Sequence, residues 1–168
     1  MTTQRHRQKI FLGDSLIRLP GPAAAGEWVE RDGERFFKSA GHHTMPPFHM
    51  SVVSGYDHWS FVSSSGGLTC GRRDPENALF PYCTDDKIHD ACHTTGARTA
   101  MLVTSRGRTM LWQPFDAGPL VYDLERNLYK NVPGNKLVFE EINRDLGLAF
   151  AYTWTSGNRF GFIRKAQL

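Results

Sequence analysis

Glu27-Trp28-Val29-Glu30-Arg31-Asp32-Gly33-Glu34-Arg35-Phe36-Phe37-Lys38 decides the class of fold. Its periodicity is two, not 3.6, on either side of Asp32-Gly33. Both residues of that pair tolerate positive φ, so it makes a type I′ turn and the twelve residues a hairpin. The pattern recurs along the chain. Residues 49–54 and 59–63 are two short β-rich runs separated by Gly55-Tyr56-Asp57. Residues 98–104 and 109–113 flank Ser105-Arg106-Gly107-Arg108 as another hairpin. Residues 136–142, 146–155 and 159–164 read as a meander, connected by Asn143-Arg144-Asp145 and Ser156-Gly157-Asn158.

No segment carries a long amphipathic helical stripe. Residues 81–92 have room for one short helix, capped by Thr84 or Asp85; Ala23-Ala24-Ala25 is too short and lies between Pro22 and Gly26. Many short strands, punctuated by 16 Gly and 9 Pro, predict an all-β antiparallel sandwich rather than a βαβ fold. The expected organisation is an N-terminal extension or first strand over 1–25 and a sandwich domain over 26–168. Two long irregular stretches, 41–48 and 66–96, are the places for function or for packing against something else.

Composition narrows the partners. At 168 residues the chain makes one domain able to bury a core without disulfide or metal. Its 20 Lys+Arg against 17 Asp+Glu are scattered, with no basic run of the kind that marks a nucleic-acid tail. The densest basic cluster, Arg5 to Lys9, reads as a solvated end. No apolar stretch is long enough to span a bilayer, and the N-terminus lacks the apolar core of a signal peptide. Cys70, Cys83 and Cys92 form no CxxC pair and suit free thiols in a reducing compartment, so a cytoplasmic location is expected.

Four features are candidate sites. Gly13-Asp14-Ser15-Leu16 matches the Ser block of the GDSL esterases, and Asp86-x-x-His89 and Asp90-x-x-His93 match the Asp-x-x-His of such a triad. In that family Asp-x-x-His closes the domain, whereas here strands follow it, and the Gly-x-Asn-Asp block is missing. Ser15 therefore reads as a strand or turn residue, with an esterase using Ser15 and His89 or His93 as the enzyme alternative. A metal site could draw on His42, His43, His49 and His58, or on His89 and His93 at helical i, i+4 spacing with Cys92 and Asp86. Residues 41–50 hold no carboxylate, so polar packing is the plainer reading and no metal or cofactor is assigned. The loop 63–77 has glycines for close backbone approach, and Arg72-Arg73 suits an anion. Its plainer reading is pairing of those arginines with Asp74, Asp85 or Asp86. Among the aromatics, Trp59 with Phe61 and Tyr152 with Trp154 alternate and point to the core, leaving Phe80 and Tyr82 as candidates for exposure.

Longer strings bring in a family. Tyr56-Asp57-His58-Trp59, Gly66-Gly67-Leu68-Thr69, Ala78-Leu79-Phe80-Pro81-Tyr82 and Thr84-Asp85-Asp86-Lys87-Ile88 are followed by Arg126-Asn127-Leu128-Tyr129 and Phe139-Glu140-Glu141-Ile142-Asn143. Together they resemble the N-terminal region of very large bacterial proteins related to cellobiose phosphorylases and other (α/α)6-barrel carbohydrate enzymes, over residues 36–165. The resemblance implies a supersandwich ahead of a helical barrel that carries the general acid, so no catalytic residue transfers to this chain. It also implies a module that packs on a downstream catalytic domain, or pairs as a homodimer, and presents the loop 66–88 towards an oligosaccharide. The end of the chain just after a strand fits a domain cut from a longer protein. Arg72, Arg73, Asp74, Asn77, Tyr82, Asp85 and Asp86 are the expected contacts to sugar or partner, with neither nucleic acid nor membrane involved.

Overall fold

The computed structural model describes residues 10–18, 23–118 and 121–168; the Arg5–Lys9 cluster and the Asp85 side chain fall outside them. The chain is all-β, and its paired strands are antiparallel throughout the described residues. A first hairpin joins β1 (Ile10–Leu12) to β2 (Ser15–Ile17). The stretch that opened the reading becomes β3 (Ala25–Arg31) and β4 (Glu34–Ala40), turning on Asp32 at φ 50° and Gly33 at φ 75° as type I′ chemistry requires. Then follow β5 (His49–Ser51), β6 (His58–Ser63) and β7 (Leu68–Arg72), which form a three-stranded sheet. A single helical turn, α1 (Asp85–Ile88), follows Thr84 as its N-cap. The hairpin β8 (Met101–Ser105) and β9 (Arg108–Trp112) turns on Arg106 at φ 50° and Gly107 at φ 75°. The connection expected to be four residues long is therefore two, with arginine in the left-handed region.

The last four strands are β10 (Leu124–Asn131), β11 (Leu137–Asn143), β12 (Leu148–Gly157) and β13 (Gly161–Gln167). They complete a six-stranded sheet in the order β13-β12-β11-β10-β4-β3, so the first long hairpin returns to pair with a strand about ninety residues later. One buried cluster unites the two larger sheets: Leu128, Leu137, Phe139, Phe150 and Tyr152 from the six-stranded sheet, Val62, Leu68 and Cys70 from the three-stranded one. Val52 and the fully buried Trp112 complete it. The other face of the large sheet carries a smaller cluster of Phe36, Tyr129 and Val138, roofed by the Arg31 guanidinium 4.2 Å above the Tyr129 ring.

Several expectations need correction. The irregular stretch 66–96 contains β7, whose residues Leu68 to Gly71 are all buried and so show no alternation. Strand β10 was not foreseen, because its core-facing positions include Arg126 and its opposite face carries Glu125, Asn127 and Asn131. Trp59 and Phe61 are half-buried on the face of β6 opposite the core, where Ser60 and Val62 point inward. Tyr152 is buried and Trp154 packs against the core as expected; Phe80 also packs there, leaving Tyr82 as the exposed one of its pair.

Candidate binding cavity

Three glycines shape one hollow over the inner face of the large sheet. Gly41, at φ 66°, ends β4 and donates its N–H to the Arg126 carbonyl at 2.8 Å. The 3-10 turn His42–Thr44 that follows lays the His42 ring edge-on to Phe139, with centroids 6.1 Å apart. Gly67 lets the chain after α1 settle on the β6–β7 connection, since a Cβ there would stand 2.0 Å from the Ile88 carbonyl oxygen. Gly96 does the same against the Cys92 carbonyl, 2.2 Å from where its Cβ would be. Both approaches exclude any side chain.

These segments enclose a cavity of about 320 Å³. His42, His43, Arg126, Arg98, Gln113 and Asp116 supply its polar lining; Phe115, Phe139 and Tyr152 are its aromatic members, with Ser64–Gly66, Cys92 and His93 alongside. Phe139 and Tyr152 stack at 4.9 Å, and Phe115 meets both edge-on.

A buried ion pair holds the wall. Arg126 of β10 and Glu141 of β11 are direct cross-strand partners, and Arg126 Nε donates to Glu141 Oε2 at 2.7 Å. Glu141 is fully buried, and it also accepts from Trp112 Nε1 at 2.7 Å and from the Phe115 N–H at 2.8 Å. Arg126 Nη2 donates to the Asp116 carbonyl at 2.8 Å. Strands β9 and β10 and the segment after β9 are thus tied to one carboxylate on β11, the condition under which a buried charge is tolerated. Phe115 sits at φ 65°, unusual for a bulky residue, and its N–H bond to Glu141 holds it there.

The imidazoles beside this pair are only partly satisfied. His42 is only 3% exposed, and Nδ1 of both His42 and His43 is buried without a hydrogen-bond partner. Burial, then the neighbouring His43 and Arg126, push His42 down to about 4, against a weaker opposite pull from the carbonyls of Arg126 and Ser64. His43 is lowered by its burial and by Arg126, with Glu141 opposing. Both rings are neutral near pH 7, each offering one donor and one acceptor nitrogen.

The residues singled out in the sequence lie elsewhere and serve one another. Arg72 grips Asp57 with bonds of 3.0 Å to both carboxylate oxygens, and Arg73 Nε reaches the same group at 3.2 Å. The arginines therefore go back to the β5–β6 connection, not to the acids of their own loop. Asp74 caps the 3-10 turn Pro75–Asn77 by accepting from the Asn77 N–H at 3.1 Å and also binds the Asn77 side chain. Thr84 donates to Asp86, and Tyr82 lies edge-on to Trp59 at 5.8 Å.

The two Asp-x-x-His histidines diverge. A helical turn and a 3-10 turn, Asp90–His93, replace the continuous helix that would have aligned them. His93 lines the cavity, while His89 Nδ1 is hydrogen-bonded to Ser63 Oγ at 2.7 Å. Ser63 is fully buried and also bonded to Ser65, so it is held in place rather than presented to a substrate. Ser15 is exposed beside the β1–β2 turn, paired with Leu12. Among the described residues no three His, Cys, Asp or Glu groups are placed to hold a metal ion, and no helix is long and apolar enough to cross a membrane.

Of the cavity residues, sequence reasoning flagged the histidines and Cys92, but as metal ligands, and missed Arg126 with Glu141. Their only local signal was a charge at a core-facing position of each of two adjacent strands. Compared with known proteins, the chain matches no family model and no curated sequence.

Proposed function

We propose that this chain is a non-catalytic binding module whose ligand is a single sugar unit, held in the cavity beside His42, His43 and Arg126. The observation that carries the reading is the hollow itself, in which the side chains of His42, His43 and Arg126 meet aromatic rings. Its volume of about 320 Å³ stands at the small end of ligand sites, right for one ring and too small for a chain. Neutral imidazoles, Ser64 and Gln113 can donate to and accept from hydroxyls, while Tyr152 and Phe115 offer apolar surface to the carbon skeleton of a ring. The resemblance to the N-terminal regions of carbohydrate enzymes points the same way.

In this proposal the loop 66–88 faces a catalytic domain instead of the sugar. Arg72, Arg73, Asp74, Asn77, Tyr82, Asp85 and Asp86 would form that docking surface, in which Arg72, Arg73 and Tyr82 are each more than half exposed. Calorimetric titration with a monosaccharide panel tests the binding reading. Saturable binding that is abolished by Ala117→Trp, an exposed position at the cavity, supports it. Binding of equal strength in that variant, or no binding of any sugar, defeats it.

A further inference from the structure

We propose that this chain pairs with a second copy of itself, β3 against the partner's β3, so that two large sheets join into one continuous sheet. The inference is independent of what the cavity binds.

The backbone of β3 is set for it. β3 closes one edge of the six-stranded sheet, with β4 its one neighbour among the described residues. The two-residue turn at Asp32-Gly33 makes Arg31 and Glu34 a hydrogen-bonded pair, and such pairs alternate along the hairpin. Arg35 follows that alternation: its carbonyl turns away from β3 and accepts from the Val132 N–H at 3.1 Å. Glu30 opposite it, and by the same period Trp28 and Gly26, therefore aim their N–H and C=O groups out of the sheet edge. A seven-residue edge strand in unbroken register, without proline, is a template for another strand.

Charge decides which strand that is. β3 carries Glu27, Glu30 and Arg31, both signs on one short edge. When two copies pair antiparallel about Val29, Glu27 stands opposite the partner's Arg31 on the face of Phe36 and Tyr129, and the symmetry repeats the match. On the inner face Trp28 stands opposite the partner's Glu30, each such pair exchanging both of its backbone bonds. The Arg35 guanidinium, 4.6 Å over the Trp28 ring, is thereby carried towards that carboxylate. Moving the axis to Glu27 or to Glu30 would instead set like charges face to face. The Trp28 indole, 54% exposed and edge-on to Phe37 at 5.3 Å, gains the cover it lacks in a single copy.

The remaining strands are poorer candidates. β13 has Arg164 and Lys165 as its charges, so self-pairing brings cations together. β1, β2 and β5 are three residues long. The free side of β7 is taken by the Gly71–Ala78 bridge and by the Leu79 N–H, which donates to the Cys70 carbonyl at 2.8 Å. The strands of the β8–β9 hairpin hold Arg108 alone, with no opposite charge to fix a register.

Sedimentation equilibrium of the full chain over a concentration series tests the pairing. A monomer–dimer equilibrium with a dissociation constant on the order of 10 µM is expected, in keeping with a small interface. The Trp28 and Glu30 amides should exchange more slowly as concentration rises. Glu27→Arg leaves this row with cations and Arg31→Glu leaves it with anions, so each variant alone should dimerise at least about tenfold more weakly. An equimolar mixture of the two should recover the dimer, which a substitution that merely disturbs the fold would not do. Glu27 and Arg31 also serve Lys38 and Glu140 within the chain, so Glu30→Pro covers the case in which either variant fails to fold. It removes an N–H that points out of the edge, and should be monomeric. A monomeric mass at every concentration overturns the proposal, as does dimerisation undiminished in Glu30→Pro. Two folded charge variants whose mixture stays monomeric overturn it as well. A mass that climbs past the dimer overturns it in favour of head-to-tail pairing of β3 with β13.

Discussion

Two arginine–carboxylate groupings in this molecule differ in nearly everything but chemistry. On the surface, Arg72 and Arg73 close on Asp57, with both guanidinium groups more than half exposed. In the interior, Arg126 meets a Glu141 that no solvent reaches. The surface arginines lower the Asp57 pKa, first through the Arg72 hydrogen bond, but water and salt screen the interaction. The interior pair lies where an unpaired charge is intolerable, so it dictates which strand positions face each other and where the segment after β9 must run. Burial, rather than the presence of an ion pair, turns charge into architecture.

The largest break in that comparison is Glu141→Ala. It strands a buried guanidinium, the Trp112 indole N–H and the Phe115 N–H, and should cost about 3–5 kcal/mol in urea unfolding. Acid comes next. His42 sits near 4 when folded against an ordinary value of 6.5, so the unfolded chain gains its proton first as pH falls. Stability should therefore be full above pH 6.5 and fall by roughly 3 kcal/mol as pH approaches 4, and His42→Phe should flatten that part of the profile. Gly67→Ala sets a methyl against the Ile88 carbonyl and should cost on the order of 2 kcal/mol, with the amides of 85–93 exchanging faster than those of β10–β12. Smallest is Asp57→Asn, expected to cost under about 1 kcal/mol and to cost less still in high salt. A loss there comparable to that of Glu141→Ala would erase the contrast.

What could be read from the sequence was what neighbouring residues decide among themselves. The Asp32-Gly33 hairpin and the final meander follow from alternation and turn chemistry within a few residues. Strand β10 stayed hidden because Arg126 occupies a core-facing place that a solitary strand would give to an apolar residue. Its partner Glu141 lies fifteen residues on and becomes intelligible only in register. Strand β7 was lost for the opposite reason, being covered on both faces and so without alternation. The cavity draws on seven separated stretches of chain, and its visible traces were the neighbours His42-His43 and Cys92-His93. The surface arginines were illegible for a related reason: Asp57 answers Arg72 and Arg73 from fifteen and sixteen residues away, across a strand pairing, although Asp74, Asp85 and Asp86 are nearer in sequence.

The hairpin β8–β9 pairs with no other strand among the described residues, and its Leu102 and Leu111 face outward. It is held to the body by Trp112, Phe115 and Asp116, fastened to the Arg126–Glu141 pair, by Met101 on the core and by the Tyr122 hydroxyl, which donates to the Leu111 carbonyl at 2.8 Å. Swinging it away would break no rung of the six-stranded ladder, so the joint between hairpin and body is a seam of the molecule. The cavity runs along that seam. Any molecule lodged there acts as a rivet between hairpin and body, and the rate at which the hairpin breathes becomes a gauge of whether the rivet is in place.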